Sequence, residues 1–285
     1  MQIIHTVAEL RNTLKSRTAV ALVPTMGNLH AGHIHLATLA KQQAQCVVVS
    51  IFVNPLQFGA NEDLASYPRT LDADCEKLKA AGVDIVFAPN VQEMYPGFNA
   101  ATNDLGQTMI ISAPPIAKEL CGASRPGHFD GVATVVMKLF NIVMPQVAVF
   151  GKKDFQQLFI IRELVRQFNL PIEIIAGDTV REASGLAMSS RNGYLSQEQK
   201  TNAATLNAAL KQIVSSIQQG NTDFIGLEQI AAQNLNSNGW LTDYISVRSA
   251  RTLLPASKED TALVVLAAAK IGNTRLIDNI EFTQT

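Results

Sequence analysis

Short apolar runs, largely β-branched, recur along the first part of the chain: "AVALVP" at 19–24, "CVVVSIFV" at 46–53, "VDIVFA" at 83–88, "QVAVF" at 146–150 and "IEIIA" at 172–176. Between them the pattern changes to helical spacing. Val132, Val135, Val136, Leu139, Phe140 and Val143 fall on an i, i+3, i+4, i+7 stripe, and Leu158, Ile161, Leu164, Val165 and Phe168 follow it more loosely. Apolar strands alternating with amphipathic helices that each cover one face predict an α/β fold built on a parallel sheet.

Past about residue 180 the texture changes and becomes rich in Gln, Asn, Ala and Ser. Helix candidates at 196–218 and 222–236 are followed by "YISVRSA", "TALVVLAAA" and "RLIDNIEF", which read as strands of a separate small sheet. The division falls near 176–182, giving an N-terminal domain of residues 1–178 and a smaller α+β domain of residues 179–285. At the N-terminus, Val7, Leu10 and Leu14 lie at roughly helical spacing among polar residues, unlike the continuous apolar core of a signal peptide. A cytoplasmic location is expected.

Composition narrows the class. With 285 residues and 47% hydrophobic content, the chain can bury one large or two modest cores. Its 23 basic and 24 acidic residues leave no general field for nucleic acid or an anionic membrane. The longest apolar runs, such as "ALVVLAAA", are too short to cross a bilayer. Cys46, Cys75 and Cys121 are widely spaced and odd in number, which spells neither a disulfide framework nor a zinc motif. Small molecules are the expected partners.

In an open parallel sheet, ligands collect where strand ends lead into helix N-termini. "PTMGNLHAGH" sits at such a place, and its helix start offers N–H groups and partial positive charge to a phosphate. His30 and His33, three residues apart, can face one anion; packing and metal binding are the alternatives, and His35 reads as structural. After the second strand, "FVNPLQF" carries Asn54 and Gln57, amides able to hold hydroxyls and a carboxylate, or simply a Pro-centred turn. "VFGKKDFQQL" repeats the arrangement of strand, glycine, charges and helix, with Lys152 or Lys153 able to reach phosphate oxygens, Asp154 a hydroxyl or metal, and Gln156 or Gln157 repeating the amides. "AMSSRNGYL" at 187–195 suits a mobile loop that closes on phosphates. "GASRPGHFDGVAT" brings Arg125 and His128 to the start of an amphipathic helix, where Arg125 could pair with a carboxylate or a phosphate.

Taken together, "PTMGNLHAGH", "SIFVNPLQF", "YPRTLDADCEKL", "GASRPGHFDGV", "GKKDFQQL", "LAMSSRNGYL" and "TRLIDN" closely resemble the pantoate–β-alanine ligase family of the His-x-Gly-His nucleotidyltransferase group, and they span essentially the whole chain. The resemblance implies a Rossmann-like N-terminal domain, a C-terminal lid domain and a homodimer. It implies that pantoate reacts with ATP to give pantoyl adenylate and pyrophosphate, after which β-alanine displaces AMP; Mg²⁺ is expected with ATP. Matching positions imply an ATP site of Met26, Gly27, Asn28, Leu29, His30, Ala31, Gly32, His33, Gly151, Lys152, Lys153, Asp154, Val180, Met188, Ser189, Ser190 and Arg191. Within it, His30, His33, Lys153, Ser189, Ser190 and Arg191 are implied to serve catalysis, with His33 as proton donor. Gln57 and Gln157 are implied to hold pantoate, Gln57 also to meet β-alanine, with Asn54 and Arg125 in support. Lys152 stands where the family often has an acidic residue, and Met188 replaces a common leucine.

Overall fold

The computed structural model describes residues 1–59, 64 and 67–284. Two compact units emerge, Met1–Gly151 with Gln157–Gly177, and Lys152–Gln156 with Asp178–Thr285. The second unit thus claims the short Lys152–Gln156 segment, which a single division near 178 assigns to the first.

Among the described residues the first unit carries six strands: β1 (Gln2–Ile4), β2 (Val20–Thr25), β3 (Cys46–Ile51), β4 (Ile85–Phe87), β5 (Val147–Gly151) and β6 (Glu173–Gly177). They form one parallel sheet in the order β1-β4-β3-β2-β5-β6. β1 is the one strand the apolar pattern misses, because three residues with only Ile4 buried leave no alternation to read. The helices are α1 (Val7–Leu14), α2 (Ala31–Gln43), α3 (Leu71–Ala80), α4 (Val91–Met94), α5 (His128–Val143) and α6 (Phe155–Gln167), the last with its first two residues counted in the second unit.

Strand periodicity divides the core in two. Val20 and Leu22 of β2 join Cys46 and Val48 of β3 against Leu10, Val136, Phe140 and Leu158. Ala21 and Val23 point the other way and meet Val47, Val49, Ala37, Ala40 and Leu78. A sheet buried on both faces accounts for strands that are apolar at successive positions. Phe168 departs from the predicted helical stripe, since α6 ends one residue earlier and the ring is 51% exposed.

The second unit contains α7 (Gln197–Gln218), α8 (Phe224–Ser237) and an antiparallel sheet of β7 (Trp240–Ser249), β8 (Ala262–Ile271) and β9 (Thr274–Thr283) in sequential order. Ser196 and Gln199 form a reciprocal capping box at the start of α7. Leu206, Leu210, Ile213 and Ile217 then pack against Val265, Ala267, Ala269 and Leu276. Among the described residues, no helix is long and apolar enough to cross a membrane.

Candidate active site

β2 pairs with β3 on one side and β5 on the other, so the chain leaves β2 where strand connections run in opposite directions. The segment Met26–Leu29 turns there, and His30 becomes the N-cap of α2. His30 Nδ1 accepts from the Gly32 N–H at 3.1 Å, and His33 Nδ1 accepts from the His30 N–H at 3.3 Å. The two imidazoles therefore form a capping box of their own, at the N-cap and N3 positions. This explains the three-residue spacing. It also fixes the chemistry of each neutral ring, since an accepting Nδ1 leaves its hydrogen on Nε2. Their centroids lie 4.1 Å apart. Glycine at position 32 leaves room for this arrangement, since a Cβ there would come within 2.9 Å of the His30 ring and displace it. Ala31 is exposed at the first position of α2, and His35 is half-buried one turn further on.

The turn after β3 is joined to this one. Gln57 Nε2 donates to Met26 Sδ at 3.2 Å, while Gln57 Oε1 accepts from Asn54 Nδ2 at 3.1 Å. Asn54, only 1% exposed, also donates to the Gly131 carbonyl at 3.2 Å and accepts from the Tyr95 hydroxyl at 2.5 Å. Burial raises the Tyr95 pKa and keeps that phenol a donor. The amide of Asn54 is thus spent within the protein, holding Gln57.

The start of α5 holds the same turn from behind. His128 Nδ1 lies 2.8 Å from the Gln57 carbonyl and Nε2 lies 3.0 Å from Arg125 Nη1. A carbonyl can only accept and a guanidinium can only donate, so His128 is the Nδ1–H tautomer. Arg125 Nη2 adds a bond of 3.4 Å to the Gln57 carbonyl. Gly131 admits the turn, since a Cβ there would meet the Leu56 carbonyl oxygen at 2.3 Å. Gln157 lies half-buried in the first turn of α6, and Gly151 ends β5 opposite Gly177.

In the second unit, Lys153, Ser189, Arg191 and Arg275 line one cavity, with Leu186 and Leu206 also on its wall. The backbone brings Val180 to Met188 through a bond of 2.9 Å, and Ser189 Oγ caps the turn Ser190–Tyr194 by accepting from the Arg191 N–H at 3.2 Å. Asn279 Nδ2 donates to the carbonyls of Lys152 and Lys153, each at 2.9 Å. Lys152 differs from Lys153. Its Nζ lies 2.9 Å from Asp178 and 3.4 Å from Glu281, and the hydrogen bond to Asp178 is the main cause that raises its pKa. Its charge is already neutralised by two carboxylates, which argues against the phosphate contact considered for it. Asp154 is half-exposed, 4.0 Å from Lys153 Nζ.

Residue patterns alone did not single out Asp74, Tyr95, Arg275, Asp278 or Asn279. Asp74 left one readable sign, a charged residue on the same helical face as Leu71 and Leu78. Among the described residues, no group of three or more His, Cys, Asp or Glu side chains is placed to hold a metal ion.

The profile of the pantoate-beta-alanine ligase family matches residues 2–281. The pantothenate synthetase of Methylobacillus flagellatus is 68% identical over 99% of both chains, and that of Thiobacillus denitrificans is 56% identical over 99% of this chain and 98% of its own. Among solved structures, the pantothenate synthetase of Thermus thermophilus is 42% identical with a TM-score of 0.91, covering 98% of this chain and 99% of that one. The pantoate-beta-alanine ligase of Francisella tularensis, complexed with beta-gamma ATP and beta-alanine, is 34% identical with a TM-score of 0.77, covering 98% and 97%.

Proposed function

The chain belongs to the pantoate–β-alanine ligase family, and from that premise we propose that it joins pantoate to β-alanine in two steps driven by ATP. In the first, a carboxylate oxygen of pantoate attacks the α-phosphorus and the bond to pyrophosphate breaks. In the second, the amine of β-alanine attacks the acyl carbon, AMP leaves with the bridging oxygen, and the nitrogen loses a proton. The first step is needed because a free carboxylate has no adequate leaving group, whereas a mixed anhydride with AMP does.

The observation that carries this reading is the capping box of His30 and His33 at the carboxyl end of β2. Its Nδ1 atoms are engaged with the backbone, so each ring directs an Nε2–H as a hydrogen-bond donor for phosphate oxygens, and His33 is read as donating to the charge that develops on the leaving pyrophosphate. Preorganised donors of this kind act where charge develops in the transition state. Within the second unit, Lys153, Ser189, Ser190 and Arg191 are read as groups that meet nucleotide phosphates, with Asp154, Val180 and Met188 read as nucleotide contacts of that unit and Gly151 as one of the first. Gln57, tied to Met26, and Gln157 are read as holding pantoate. Asn54 and Arg125 support Gln57 rather than touching substrate. Mg²⁺ is carried in this reading by the nucleotide's phosphates and water, with Asp154 the nearby carboxylate in the Lys152–Asp154 turn.

A second copy of the chain is the expected partner. A cytoplasmic location is the reading that the wide and odd spacing of Cys46, Cys75 and Cys121 supports. The test of the two-step reaction is isotope exchange. Pyrophosphate should exchange into ATP with pantoate present and β-alanine omitted. Exchange with another acid but none with pantoate overturns the assignment.

A further inference from the structure

Leu29 immediately precedes the His30 cap, and both polar groups of its backbone are gripped by α3. Its N–H donates to Asp74 Oδ1 at 2.8 Å, and its carbonyl accepts from Lys77 Nζ at 2.7 Å. The N–H of Asn28 donates to the other carboxylate oxygen, Asp74 Oδ2, at 2.8 Å. Two successive positive φ angles, 85° at Gly27 and 52° at Asn28, set the path of the turn that delivers both N–H groups to one side chain. Thr70 Oγ1 adds a bond of 3.0 Å to Asp74, and Lys77 Nζ lies 3.8 Å from it. Asp74 is fully buried, at 0% exposure, and every one of these partners is a donor.

The arrangement has a consequence for the nucleotide. A glycine turn leading into a helix normally presents its amides to phosphate. Here Asn28 and Leu29 give theirs to a carboxylate from within the protein, and Gly32 gives its own to His30. The two imidazoles are the side chains that this turn carries at the cap, and the direction of each Nε2 depends on how the chain enters that cap. We propose that Asp74, assisted by Lys77, is a positioning residue for His30 and His33: it sets the backbone that aims both rings at the phosphates. This rests on the reading that the two rings handle the phosphates of ATP.

Asp74→Asn tests it. The amide keeps the shape but turns an NH₂ group toward an N–H that needs an acceptor. The folded variant should lose at least about tenfold in kcat for ligation while KM for ATP and for pantoate stays within about threefold, as for an interaction that matters in the transition state. Long-range ¹H–¹⁵N spectra should show His30 and His33 as neutral Nε2–H rings in the parent protein and as mixed tautomers in the variant. Lys77→Met, at a side chain 47% exposed, should fold and give the same change more weakly, with recovery in Lys77→Arg. These two variants decide the matter if Asp74→Asn does not fold.

A folded Asp74→Asn protein with parental ring signals and parental kcat overturns the proposal. So does a loss of activity that only follows the unfolded fraction. The ring signals read the positioning whatever the rings do in the reaction. If they change while His33→Ala leaves turnover intact, the reading of the rings as phosphate ligands fails and the clamp stands.

Discussion

Two turns carry the groups proposed to handle phosphate, and each is backed by a buried carboxylate, yet the two carboxylates work differently. Asp74, in the first unit, holds the backbone of its turn directly, through the N–H groups of Asn28 and Leu29. Asp278, in the second unit and 4% exposed, acts through other side chains. It forms a two-pronged pair with Arg181 at 2.7 and 2.9 Å, accepts from Asn207 Nδ2 at 3.0 Å and from the Asn279 N–H at 2.8 Å. Arg181 in turn reaches the Gly185 carbonyl at 3.1 Å, and Asn279 reaches the carbonyls of Lys152 and Lys153. The first turn is fixed by two direct hydrogen bonds to one carboxylate, the second by a network whose members depend on one another. Networks of this kind stand or fall together.

The largest effect should therefore come from Asp278→Ala. It strands the Arg181 guanidinium, 24% exposed, and the buried Asn207, at a cost of about 3 kcal/mol, the lower end for breaking a buried ion pair. The chain's single tryptophan, Trp240, lies buried in the second unit, so denaturant unfolding followed by its fluorescence reads that unit. Replacing Arg181 by Met in the same chain should recover part of the loss, because the unpaired charge goes with it. A loss below about 1 kcal/mol in the single variant would mean that the network is not interdependent, and the contrast with Asp74 would collapse.

The same contrast explains what could be read from residues alone. The sheet was legible because β2, β3 and β5 are largely buried strands whose apolar runs have no competing explanation and the half-buried edge strand β6 still carries the run Ile174–Ala176, and α7 and α8 because their stripes and caps agree. The His-x-Gly-His turn was legible as a turn at a strand end. Its capping box was not, because the partners of His30 and His33 are backbone N–H groups, which every sequence possesses. Asp74 was hidden for that reason too. Asp278 was hidden for another: its partners Arg181 and Asn207 lie 97 and 71 residues away, and pairing at that distance follows from the sheet of the second unit, not from local spacing. Lys152 shows the converse case. Next to Lys153 it reads as an equal phosphate ligand, and only the positions of Asp178 and Glu281 separate the two.

An intermediate effect belongs to the tip of the first turn. His33→Ala removes an Nε2–H donor and the acceptor for the His30 N–H but leaves Asp74 and its two amides in place. The rate of pantothenate formation should fall at least about tenfold, roughly 1.4 kcal/mol in the barrier. Unfolding read at Trp240 should be unchanged, since no part of the second unit's network is touched. A parental rate would remove His33 from the mechanism and leave the first turn as a purely structural feature.

The smallest effect separates backbone from side chain in the second turn. Lys152 is held twice: its carbonyl by Asn279, and its ammonium by Asp178 and Glu281. Lys152→Ala deletes only the second grip. The ion pairs are exposed, with Asp178 at 84% and Glu281 at 42%, so their loss should cost no more than about 1 kcal/mol at neutral pH. Because the hydrogen bond to Asp178 raises the lysine's pKa, the stabilisation is fully present below its ordinary value near 10.5 and fades only as the pH rises through the still higher folded value. The difference between parent and variant should accordingly be flat from pH 7 to about 9, shrink in molar salt, and leave ligation within about twofold. A tenfold loss of ligation instead would put the Lys152 ammonium on the nucleotide despite its two carboxylates. The second turn would then owe its function to a side chain that the network does not hold, and Asn279 would be holding the wrong part of the residue.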